Sequence, residues 1–225
     1  MKNPVAEDDC AEGGEADVDE SRQKKNNVDQ NEKQFDQAYA RARDRYNNGH
    51  QENALSIWRQ VGESGYEAGY YKLAQHAFLI GNRVDLDFHM RRLEALAARG
   101  DPGACFSCFM GYRAGWNGRG FSVDGPIGTN FLRRAAELGS PYAQYTLAQE
   151  LRSGANGQTK DEAGYLYWIE KAIESGSEEA VYAHITYLDK KGQPIPADLL
   201  ANLDILAADY PNARKLRDKL KRAMR

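Results

Sequence analysis

This sequence is short of the residue types on which catalysis, metal binding and membrane insertion usually depend. Its 225 residues include three cysteines and four histidines, scattered along the chain. Cys105 and Cys108 form a single Cys-Phe-Ser-Cys motif. With no second pair, it cannot supply the four ligands of a structural zinc site. A redox motif would be expected at a helix N-terminus near a βαβ unit, and none can be read here. Cys108 takes the place held by Leu73 and Leu147 in sister segments, so the two thiols read as buried and structural. A disulfide or a reactive pair is the competing reading. His50, His76, His89 and His184 fall in different segments. Asp85, Asp87 and His89 are two residues apart, and such positions on a helix do not face the same way, so no metal site is expected.

Other absences narrow the field further. No stretch approaches the roughly 20 apolar residues that span a bilayer. The N-terminus lacks the apolar core of a signal peptide, which leaves export open if a leader is removed beforehand. With 30 basic and 33 acidic side chains the net charge is −3, so no polycation argues for nucleic acid. There is no G-x-x-x-x-G-K-[ST], no H-E-x-x-H and no G-x-S-x-G. The glycine-rich stretch 115–125 follows a helical pattern and has the wrong spacing for a dinucleotide fingerprint. No cofactor and no catalytic constellation are expected.

What is present is a repeat. Gly65, Gly100, Gly139 and Gly176 lie 35, 39 and 37 residues apart. Four residues after each comes a very small residue: Gly69, Ala104, Ala143 or Ala180. Two further on stands an aromatic: Tyr71, Phe106, Tyr145 or Tyr182. A second glycine closes each unit 15 or 16 residues after the anchor, at Gly81, Gly115, Gly154 or Gly192, and Asp85, Asp124 and Asp161 each precede an anchor by 15 residues. A period of this length marks a helical array in which each unit buries its apolar face against its neighbours. The expected fold is an all-α, right-handed α/α solenoid of four to five two-helix repeats, about eleven helices in all.

Each element of the pattern has a physical role. The anchor glycine supplies a left-handed residue that ends the first helix. Pro102 and Pro141 sit at the start of the second helix, where a missing N–H costs nothing. The small residue lets paired helices approach, and the aromatics are expected to be equivalent and mostly buried. The aspartates read as N-caps or first-turn acids. Residues 1–32 are rich in Glu, Asp, Gly, Asn and Gln and read as a disordered acidic tail, with the solenoid over 33–225. Residues 195–225 read as a cap, ending in a basic amphipathic helix with Leu216, Leu220 and Met224 on one face. Contact with an anionic surface or an acidic partner is the other reading of that helix.

The segment Phe131 to Ala148 closely resembles the SEL-like repeat, a relative of the tetratricopeptide repeat. Gly154-Ala-Asn-Gly157, Asp161 and residues 167–172 also match that pattern. The resemblance is strong over 118–190 and weaker, but in register, over 49–117. It departs at Gly69, Cys108 and His184, where the family prefers alanine or leucine. The resemblance implies a solenoid that binds other proteins through a curved face lined by first helices, often in bacteria and often outside the cytoplasm. A periplasmic location is the expectation on that basis, with the cytoplasm as the alternative.

Arg91, Arg92 and Arg133 lie on first helices, while Trp116 and Arg119 lie in the longest inter-repeat loop. Aromatic and arginine side chains are enriched at binding hot spots, so these five are the expected partner-binding residues. Solvated charge is the plain alternative for the helix arginines. The functional expectation is a non-enzymatic protein-binding module, specifically an immunity or inhibitor protein that neutralises a secreted bacterial toxin. A regulatory adaptor is the alternative.

Overall fold

A computed structural model describes residues 33–116 and 126–223. The chain forms two compact units, Met1–Gly69 and Tyr70–Arg225. Among the described residues there are eleven helices and no strand. The expected acidic tail, Cys10, Arg119, Phe121, Asp124 and Met224 lie outside them.

In the first unit, α1 covers 33–47 and α2 covers Gln51–Glu63, and α3, Glu67–Leu79, begins there. Tyr46 of α1 meets Trp58 of α2 at 5.2 Å between ring centroids, and Phe35 meets Tyr66. Gly69 lies where α3 runs close against α2. An added Cβ would stand 2.4 Å from both the Gly62 nitrogen and the Trp58 carbonyl oxygen. The departure from alanine at this repeat position is therefore steric.

The second unit continues with α4 (Arg83–Ala98), α5 (Pro102–Arg113), α6 (Pro126–Glu137) and α7 (Pro141–Ser153). It ends with α8 (Glu162–Glu174), α9 (Glu178–Lys191), α10 (Ala197–Asp209) and α11 (Pro211–Ala223). From α4 onward each helix packs on the next, so the unit is an α/α solenoid.

The repeat dictates this by backbone geometry. Gly100, Gly139 and Gly176 have φ of +90°, +91° and +87°. The glycine N–H donates to the carbonyl three residues back. The next N–H (Asp101, Ser140, Ser177) donates to the carbonyl five back, which is the Schellman arrangement that ends a helix and reverses the chain. That same next residue then caps the second helix. Asp101 Oδ1, Ser140 Oγ and Ser177 Oγ accept from the N–H of Ala104, Ala143 and Ala180 at 2.7, 3.4 and 3.2 Å. Turn, cap and small residue thus form one device of five residues. The first-helix aspartates play two parts: Asp161 caps α8, whereas Asp85 is a first-turn acid behind the Asn82 cap.

The small residues Ala104, Ala143 and Ala180 are fully buried, as are Cys108 and Leu147 four positions later, and His184 at the same place is buried. The aromatic column corrects the expectation of burial. Tyr71, Phe106 and Tyr145 are only half-buried, and Tyr182 is 37% exposed. Two residues beyond the alanine is about 200° round the helix, so the ring leaves the inner stripe and lies along the flank.

At the C-terminus Leu203, Leu206 and Ala207 of α10 are buried, as are Ala213 and Leu220 of α11. Arg214 donates to the last carbonyls of α10, Nε to Ala207 at 3.0 Å and Nη2 to Ala208 at 2.8 Å. Lys219 pairs with Asp189 of α9 and Lys221 with Asp204 of α10. The amphipathic helix is thus laid on the array, its leucines inward and several of its bases on neighbouring acids.

Candidate protein-binding surfaces

Two surfaces of the second unit carry side chains suited to recognition. The first is the exposed stripe of α4. Val84, Phe88, Arg91 and Arg92 fall at positions that share one helix face, and all four are exposed. The Arg92 guanidinium sits 5.1 Å from the Phe88 ring centroid, a cation–π pair left open on the surface. Arg91 pairs with Asp87 at 2.8 Å one turn back, an exposed contact of small energetic worth. Arg133 is exposed on α6. Its neighbour Arg134 donates to the Ala98 carbonyl at 3.3 Å, which ties α6 to the C-terminal end of α4.

Trp116 does not belong to this surface, contrary to the sequence expectation. It is 4% exposed and packs 5.2 Å from Tyr71 and 6.0 Å from Phe78, ring centre to ring centre. The reason is local. Gly115 (φ +77°) turns the chain after α5, the Trp116 N–H donates to the Gly111 carbonyl at 2.9 Å, and the indole folds over Gly111. This is the apolar contact that accompanies a Schellman turn. A large apolar residue directly after a helix-ending glycine was the signal for it.

The second surface is a groove of about 240 Å³ among α7, α9 and the α10–α11 turn. Leu206 and Ala213 form its floor, Tyr145, Tyr182 and Tyr210 its walls, and Glu178, Glu179 and Asn212 its rim. The Glu178 carboxylate, first as a hydrogen-bond acceptor and then through its charge, raises the Tyr210 phenol pKa. Burial and then the Glu179 charge raise that of Tyr145. None of these residues was expected at a site: Tyr145 and Tyr182 read as core, and no role was read for Glu178, Glu179 or Tyr210.

Cys105 and Cys108 are fully buried free thiols. Cys105 Sγ faces the Ala97 carbonyl at 3.8 Å, and burial pushes both thiols above their ordinary range. A thiolate nucleophile is disfavoured in that setting.

These features define the class: an α/α solenoid in which the residues that resemble the SEL-like repeat build successive helix pairs with a shared turn and cap. No protein-family model matches the sequence, and no curated protein matches it. Among solved structures the chain is similar to a Sel1 repeat protein from Oxalobacter formigenes, at 28% identity and a TM-score of 0.49. That likeness covers 56% of this chain and 95% of the other. It is also similar to a protective antigen with an SLR fold from uropathogenic Escherichia coli strains, at 21% identity and a TM-score of 0.47. In that case 74% of this chain matches 33% of the antigen.

Proposed function

We propose that the chain is a non-enzymatic protein-binding scaffold. The observation that carries this reading is the α4 stripe, where Val84, Phe88 and Arg92 stand exposed on a helix held firmly from behind. Leu86, Met90 and Leu93 fix the opposite face in the core, so the stripe is preformed and avoids the ordering cost that weakens flexible binders. Arg91 adds a further base to it, and Arg133 stands exposed on α6. Within this class the best specific reading is an inhibitor that binds and neutralises a secreted bacterial toxin. It rests on the resemblance to repeats that bind proteins outside the bacterial cytoplasm.

The test is recovery of the partner from the native host by co-purification, followed by expression of that partner alone and together with this chain. A partner that arrests growth alone and is silenced by co-expression supports the inhibitor. A harmless partner that this chain joins to a second protein supports a regulatory adaptor and overturns it.

A further inference from the structure

We propose that the groove among α7, α9 and the α10–α11 turn receives a lysine or arginine side chain of a protein partner. The proposal deepens the scaffold reading and rests on it.

Comparison of the repeats shows why the groove is open. In one unit the column ring Phe106 is covered by Tyr142 of the next, stacked at 6.4 Å and 25°. Tyr142 stands three residues after its anchor glycine. Tyr145 is the next ring of the column, and the residue three after the following anchor is Glu179. A carboxylate thus replaces the covering ring, and its charge reaches the Tyr145 phenol. The same substitution that uncovers the ring brings an acid to the rim.

The remaining parts agree in chemistry. Tyr182 and Tyr210 are 37% and 51% exposed and offer ring surface, and buried Leu206 and Ala213 give an apolar floor. Glu178 lines the groove with Tyr210, and Glu179 accepts from Ser177 Oγ at 3.2 Å. No base is among the lining residues. Arg152, whose charge also reaches Tyr145, lies 5.5 Å from the centre of the Tyr165 ring. An apolar trough with three phenol rings and two carboxylates matches a long aliphatic stem ending in a cation. The stem covers the floor, the rings attract the cation, and the glutamates accept its N–H groups. An arginine fits best, because its planar head can stack on a ring while its N–H groups reach a carboxylate.

The experiment titrates the isotope-labelled full chain with Nα-acetyl-arginine methylamide and follows backbone amide shifts. Its neutral isostere Nα-acetyl-citrulline methylamide is run in parallel. Saturable shifts at Glu178, Glu179, Tyr182 and Tyr210 are expected, with the citrulline compound about tenfold weaker or worse. Glu178→Gln with Glu179→Gln should remove the difference between the two compounds. Tyr182→Ala, which keeps both carboxylates, should weaken the arginine compound about fivefold. An unchanged melting temperature shows that each variant is folded. Equal binding of arginine and citrulline, shifts confined to other residues, or an arginine preference that survives the double variant would overturn the proposal. The probe needs no partner, so such a failure removes the groove alone and leaves the scaffold to its own test.

Discussion

Arg113 of α5 and Glu150 of α7 are joined at 3.2 Å across 37 residues, linking the second helices of two successive repeats. The Glu150 side chain is 5% exposed. Its Oε1 also accepts from Asn156 Nδ2 at 2.5 Å, and Asn156 holds a left-handed backbone, φ +54°, in the loop before α8. Oε2 is buried without a hydrogen-bond partner.

That arrangement makes a pH prediction. Burial raises the Glu150 pKa, and the contacts with Asn156 and Arg113 lower it by less. A carboxyl raised on folding contributes stability below its unfolded pKa and loses it as pH rises through the folded value. The melting temperature of Glu150→Gln relative to the natural chain should therefore improve as pH goes from acid to neutral. A difference that is flat with pH, or that moves the other way, would show the carboxyl to be unperturbed. Glu150→Ala should cost about 1–3 kcal/mol, because Asn156 and Arg113 lose their acceptor, with the cost greater at acid than at neutral pH for the same reason.

Trp116 should behave as a core residue. Trp116→Ala is expected to cost about 3–5 kcal/mol of stability, read from thermal or urea unfolding. An unchanged midpoint would put the ring back on the surface.

Close helix approach sets the sign of a third effect. Gly69→Ala gains about 1 kcal/mol of helix propensity, yet its methyl meets backbone atoms that no rotamer change can move. Net destabilisation of about 1–3 kcal/mol is expected. Ala143→Leu, at a fully buried position, should cost a similar amount. A stabilised Gly69→Ala would mean that α2 and α3 stand further apart.

The thiols should be silent. In a Cys10→Ser background, Cys105 and Cys108 are expected to resist a thiol-alkylating reagent in the native protein and to react in denaturant. Rapid native labelling of either would contradict their burial.

Much of the fold was legible because helix reversals have few solutions. The anchor and closing glycines of all four repeats carry positive φ, and the register of turn, small residue and packing stripe follows from them. The site was less legible, because exposure depends on which neighbour covers a ring. Nothing local separates Phe106, stacked under Tyr142, from Tyr145, left beside Glu179. Trp116 erred the other way: a loop position suggested display, and the turn geometry folds it inward. Arg91, Arg92 and Arg133 stand exposed on their helices, and their part in binding rests on the test below.

The most direct test of the central claim is a calorimetric titration of the purified chain with the host protein that co-purifies with it. The account predicts a saturable complex of fixed stoichiometry. Arg91→Ala, Arg92→Ala and Arg133→Ala together should weaken it at least about tenfold, or 1.4 kcal/mol, with the melting temperature unchanged. No saturable complex with any co-purifying protein, or full affinity in the triple variant, would contradict it.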